Sequence, residues 1–144
     1  MKGWDSYKHV TGRKRHLLVD SQGLLMEVAL TAANVDDRRP VFALLQAAQR
    51  CYPRLGQVLA DKGYRGPLHE RIMNHLHIRL TIEQRSQYAA PTQVLSARWV
   101  VERAFAWLGR YRRLCKDYEF LPQSSRAFIF LAMSALVLRR LSLF

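Results

Sequence analysis

The stretch Gln57-Val58-Leu59-Ala60-Asp61-Lys62-Gly63-Tyr64 decides the fold class. Four residues, "QVLA", form a short apolar run between the breakers Pro53 and Gly56 and the turn residues Asp61 and Gly63. That pattern predicts a short strand with a carboxylate at its C-terminal end. Outward from it, helical and strand-like periods alternate. Upstream, Val41, Leu44, Leu45 and Ala48 recur at i, i+3, i+4, i+7 and predict a helix over 37–51. Pro40 suits its first turn, Asn34 or Asp36 its cap, and Asp36 and Asp37 its positive end. Before it, His16–Asp20 and Leu24–Thr31 ("LLMEVALT") read as two strands around the turn Ser21-Gln22-Gly23, a β-hairpin. Downstream, Pro67–His75 reads as a short helix, Ile78–Ile82 as a fourth strand and Glu83–Thr92 as a polar loop. Ser96–Cys115 reads as a helix whose apolar face carries Val101, Ala104, Phe105, Leu108, Tyr111 and Cys115. Pro122 opens a last helix to about Leu141, with Ser124 or Ser125 as cap. Residues 1–13 receive no assignment. A hairpin followed by alternating helices and strands predicts a mixed α/β sheet.

The chain has 144 residues, enough for one domain with a real core. Its charge points to a partner. Eighteen Arg and five Lys face 11 acidic residues, a formal net charge of +12. Arg forks onto phosphate with two parallel donors, so an Arg-heavy basic domain suits a polyanion, nucleic acid first. Solubility through net charge is the plainer alternative. Two cysteines, Cys51 and Cys115, lie far apart without metal-ligand spacing. The start, Met1-Lys2-Gly3-Trp4-Asp5, carries no apolar leader, so the expectation is a cytoplasmic protein with reduced thiols. The apolar segment Ala127–Leu138 is shorter than the ~18–20 residues a bilayer requires, and predicts a buried helix instead.

Two acids stand where chemistry is expected. Asp61 follows a buried strand at its carboxyl end, where open α/β sheets place ligands. Glu102 neighbours the apolar face of its helix. Each has a plainer reading, Asp61 as a turn cap and Glu102 as the i+4 partner of Arg98. Together, two hard carboxylates in a basic domain suit Mg²⁺ or Mn²⁺ and phosphodiester cleavage, which ordinarily needs a third acid. Asp20 is better placed in the hairpin turn. The basic clusters are Arg13-Lys14-Arg15-His16 and Arg110-Tyr111-Arg112-Arg113, candidates for phosphate and base contacts. No glycine-rich phosphate loop and no nucleophilic Ser or Cys context is present.

Four strings in order, "GRKRHLLVDSQGLL" (12–25), "ANVDD" (33–37), "VLADKGYRG" (58–66) and "RWVVERAFAWLGRYRRLCKDYE" (98–119), resemble the DDE transposases of bacterial insertion sequences, in the branch called insertion-sequence family five. The resemblance runs from about Gly3 to about Leu138. It implies an RNase H-like fold, a mixed sheet flanked by helices, as one partial domain over 1–144. It implies Mg²⁺- or Mn²⁺-dependent DNA cleavage and strand transfer at element ends, by a homo-oligomer on DNA. It makes Asp61 the second catalytic and metal-binding Asp, and Glu102 the catalytic and metal-binding Glu. Arg98 matches the arginine four residues before that Glu. Leu95 stands where a Tyr is usual, and Gly109 where a Lys is usual, with Arg110 next to it. With Arg98 on the DNA side go Arg13, Lys14, Arg15, His16, Arg103, Arg110, Arg112, Arg113 and Lys116. The first catalytic Asp belongs on a central strand upstream of a segment like "GWDSYKHVTGRKRH" (3–16). Asp5 and Asp20 align elsewhere, so that strand and its acid are expected to be missing. The expectation is therefore a transposase core that is inactive alone. Its alternatives are a non-catalytic DNA-binding remnant or regulator and a basic RNA- or ribosome-associated domain.

Overall fold

A computed structural model describes residues 2–7, 9–83 and 96–142. Among these residues the strands form two small sheets, not one. The first is antiparallel: β1 (Gly3–Asp5), β2 (Val10–Val19) and β3 (Leu25–Ala32), in the order β1-β2-β3. The second is parallel: β4 (Gln57–Ala60) beside β5 (Arg79–Ile82). The described residues also form four α-helices, α1 (Val41–Cys51), α2 (Pro67–Leu76), α3 (Ser96–Gly109) and α4 (Pro122–Leu141). The expected mixed α/β composition holds, but the strands do not join into a single sheet.

The β2–β3 hairpin is the frame. Its ladder runs from Arg13↔Ala32 to Val19↔Leu25. Asp20 closes it in the expected turn role: its Oδ1 accepts the N–H groups of Gln22 (2.9 Å) and Leu24 (2.8 Å). Gly23 supplies the positive φ (80°) that the turn demands. Strand side chains alternate between faces. Accordingly Leu18 joins the core of α1 and α2 (Leu44, Leu45, Ile72, Leu76), with Ile78 and Leu80. Leu17 and Val19 pack instead on the core of α3 and α4 (Ala104, Leu108, Ile129, Met133). Both faces of the hairpin are thus covered by helices.

Several boundaries differ from expectation, each for a local reason. β2 starts at Val10 rather than His16, because β1 pairs with residues 10–12. α1 starts after Pro40, because a residue preceding proline avoids helical geometry. Asp36 accordingly caps a turn, accepting the Arg38 N–H (2.8 Å), and α1 has no side-chain cap. α3 stops at Gly109, a poor helix former, instead of Cys115. Consecutive turns follow, with Tyr111 N–H donating to the Leu108 carbonyl and Leu114 N–H to that of Tyr111. They keep Tyr111 and Leu114 on the α3–α4 core, so the helical spacing outlasts the helix. Phe105 and Cys115 are exposed despite that spacing. α4 begins with Pro122 at its first turn after Leu121, and Ser125 is buried inside it rather than capping it. The expected loop 83–92 lies, after Glu83, outside the described residues. No helix among the described residues is long and apolar enough to cross a membrane.

Candidate active site

Strand β4 ends at Ala60, and the chain turns at once into a short 3-10 turn, Lys62–Tyr64, capped by Asp61. Asp61 Oδ1 accepts the Gly63 N–H at 3.0 Å. The turn-cap reading is therefore true as far as it goes. Oδ2 takes no hydrogen bond among the described residues, so one carboxylate oxygen stays available. From the opposite side, α3 presents Glu102. Its Oε1 accepts the Arg98 Nε at 2.8 Å, the expected i+4 pair, and both side chains are more than half exposed.

The structure brings these residues to one place. Asp61, Arg98 and Glu102 all line a cavity of about 280 Å³, whose apolar walls include Leu18 of β2, Leu45 of α1 and Phe105 of α3. Asp61 and Glu102 are far apart in the chain, and neither local reading predicts that they share a cavity. A third carboxylate lines it too. Glu83 follows the last residue of β5, as Asp61 follows the last residue of β4, and its N–H donates to the Ala60 carbonyl (2.8 Å). In the sequence Glu83 opens the expected polar loop 83–92. The available signal was the repeated pattern of strand then acid, which parallel pairing places at the same sheet end.

Tyr64 and His16 complete the lining. Burial raises the Tyr64 hydroxyl above its ordinary pKa, and the carboxylates of Asp37, Asp61 and Asp36 push the same way. Burial lowers the pKa of His16, against a smaller opposing pull from Asp37. His16 Nε2 lies 2.8 Å from the Thr31 hydroxyl oxygen.

The donor chemistry fits a hard divalent cation, since Asp61, Glu83 and Glu102 all bring carboxylates to the lining of one cavity. The number of donors falls short. Among the described residues no group of three or more His, Cys, Asp or Glu is close enough to hold an ion.

The basic residues divide sharply. Arg13, expected on the DNA side, is held as an internal clamp: its side chain is 2% exposed. Its Nε and Nη2 fork onto Asp117 at 2.6 and 2.7 Å, and Nη2 also donates to the Glu119 carbonyl. Arg15 donates to the Leu114 carbonyl (2.6 Å) and Lys14 reaches the Val35 carbonyl and Asp37. His16 is buried. The cluster that looked like a phosphate grip instead ties β2 to the turns after α3 and to the loop before α1. Arg103 lies over the rings of Trp99 (4.2 Å) and Trp107 (5.1 Å) and donates to the Gln22 carbonyl. Arg113 pairs with Glu119 over the Phe128 ring. Arg110, Arg112 and Lys116 are exposed.

A helix-flanked hairpin and a parallel strand pair with acids at one end are compatible with the fold of a DNA-transposing enzyme. The comparison of sequences makes the assignment: the Transposase DDE domain family matches residues 1–137, so this chain belongs to that family. It is also 33% identical over 126 residues to the protein named "Putative transposase for insertion sequence element IS402" of Burkholderia cepacia. That alignment covers 82% of this chain and 59% of the relative, so the chain spans a little over half the relative's length. No solved structure matches.

Proposed function

We propose that this chain is the core of an insertion-sequence transposase of the family-five branch, cleaving and joining DNA strands at element ends with Mg²⁺ or Mn²⁺. Asp61 and Glu102 are the catalytic acids that hold the ion. When bound, such an ion activates water and stabilises the departing oxygen of the phosphodiester. The observation carrying this reading is that two acids from different elements line one cavity. An RNase H-like arrangement accounts for it, with a further strand and a further catalytic carboxylate from outside the described residues.

The chain's own residues have definite tasks. Gly63 N–H fixes one Asp61 oxygen and so sets the direction of the other. Arg98 holds Glu102 in place, and because an exposed pair of this kind is worth only tenths of a kcal/mol it would leave the Glu102 carboxylate free to hold an ion. Arg98 is then available to a DNA phosphate. Arg110, Arg112 and Lys116 supply exposed cations for the DNA backbone, and binding through them weakens with salt. The transposase works as a homo-oligomer on DNA.

The test is nicking of supercoiled plasmid DNA in Mn²⁺. The chain alone is expected to nick slowly, with Asp61→Ala and Glu102→Ala each abolishing what remains. Residual nicking that survives both substitutions refutes the assignment of these acids. Fast nicking by the unaltered chain refutes the need for a third.

A further inference from the structure

Helix α4 is apolar on two sides, and a helix that is apolar all round is ordinarily covered all round. One side is covered: Ile129, Ala132 and Met133 pack with Val28 of β3 and with Ala104 and Leu108 of α3. The opposite side carries Leu131, Leu138 and Leu141, which are 63%, 65% and 66% exposed. Among the described residues nothing covers them. The buried helix expected over Ala127–Leu138 is thus buried on one side only. Apolar side chains exposed in line, rather than scattered singly, mark an interaction surface.

The stripe has a regular period. Ser124, Ala127, Leu131, Ser134, Leu138 and Leu141 follow one another at spacings of 3, 4, 3, 4 and 3. That alternation is the seam by which one helix packs along another. The order of sizes selects the partner. Laid against its own reverse, the stripe sets a small side chain against a leucine in every layer. Ser124 meets the partner's Leu141, Ala127 meets the partner's Leu138, and Leu131 meets the partner's Ser134; two-fold symmetry repeats each contact. Facing positions fill best when large and small residues alternate across them. A parallel pair instead stacks leucine on leucine and leaves serine facing serine. It also brings Arg139 and Arg140 of both copies to one end, and α4 has no acidic residue to offset them. The antiparallel pair separates them and lets the helix dipoles oppose. Arg139 then comes near the partner's Arg126, a residue whose charge is already paired with Glu27 at 2.7 Å.

We propose that the exposed side of α4 is a dimerisation seam that takes α4 of a second copy of this chain, antiparallel, with the two-fold axis crossing between Ala132 and Met133. At 1.5 Å per residue the seam from Ser124 to Leu141 is about 27 Å long. One pair of helices is small for a specific interface, so the dimer dissociates on dilution. No residue of α4 lines the cavity of Asp61 and Glu102, so pairing leaves the acids open. The seam names a contact for the homo-oligomer proposed above and rests on that reading for its use on DNA. The pairing itself requires neither DNA nor metal.

Sedimentation equilibrium of the full chain, without DNA or metal, reads the pairing. The expected result is a dimer at about 100 µM that dissociates toward monomer at about 1 µM. Leu138→Glu places a charge in the seam and should weaken pairing at least about tenfold. Its melting temperature and circular dichroism should be unchanged, because the side chain stands outside the core. Tyr7→Glu, an equally drastic change at an exposed site off the helix, should leave pairing as it was. Disulfide formation reads the direction. With Cys51 and Cys115 both replaced by serine, Ala127→Cys mixed with Leu138→Cys should give the cross-linked dimer, and either variant alone should not. A chain that stays monomeric at about 100 µM overturns the proposal. So does association undiminished by Leu138→Glu, or diminished equally by Tyr7→Glu. Cross-linking of each cysteine variant with itself but not in the mixture overturns the antiparallel seam. Because these readouts use neither DNA nor metal, failure here is distinct from failure of the transposase reading, which is seen in nicking and in assembly on DNA.

Discussion

The two sheets of this protein spend their charged residues in opposite ways. Around β2 and β3, charges are locked into pairs: the buried Arg13 grips Asp117, and Arg126 of α4, itself half exposed, reaches the buried Glu27 at 2.7 Å. Around β4 and β5, charges stay at the rim: Asp61 is exposed, and Glu102 keeps only an exposed partner on its own helix. The first sheet is scaffold, and its charges fix turns and termini that lie far apart in the chain. The second is where the candidate chemistry sits, and its acids are left accessible. Basic residues in a basic protein are therefore not interchangeable.

The largest effect expected from this difference is on the scaffold. Arg13→Ala leaves Asp117 without its fork, and removing one partner of a buried pair costs about 3 kcal/mol. Urea unfolding should show that loss with an unchanged slope. A loss below about 1 kcal/mol would place Arg13 with the surface cations and break the contrast.

At the rim the same kind of change should barely register. Glu102→Gln removes an exposed helix pair, and the expected loss of stability is below about 0.5 kcal/mol. A loss comparable with that of Arg13→Ala would make Glu102 a structural residue.

A smaller effect sharpens the comparison through pH. Burial lowers the pKa of His16 in the folded protein. The unfolded chain then takes up a proton first as pH falls through about 6.5, the ordinary histidine value. Stability is complete above that pH, declines as the pH falls below it, and levels off once folded His16 is protonated as well. Thermal unfolding followed between pH 8 and 5 should show this decline, and His16→Gln should flatten it. A slope unchanged in that variant would assign the effect to other groups.

Much of this was legible in the sequence because it is local. The strand Gln57–Ala60 and the Asp20 turn depend on neighbours a few residues away, and both were read correctly. The Arg98–Glu102 pair was equally legible, since four residues is one helical turn. What escaped depends on contacts between distant segments. The run Arg13–His16 reads as an exposed basic patch until Asp117 and the Leu114 carbonyl, each about a hundred residues away in sequence, are brought against it. Glu83 escaped because only the parallel pairing of β4 with β5 sets it beside Asp61. The end of α3 escaped because Tyr111 and Leu114 keep the helical spacing while the backbone is already turning.

The central claim is that Asp61 and Glu102, joined only by the fold, act as one metal-binding pair. Titrating Mn²⁺ into the chain and following the loss of its free-ion electron paramagnetic resonance signal tests this most directly. The account predicts weak but measurable binding in the unaltered chain, weakened at least about tenfold by Asp61→Ala and, separately, by Glu102→Ala. Binding that is unchanged in either variant, or absent from the unaltered chain, would contradict it.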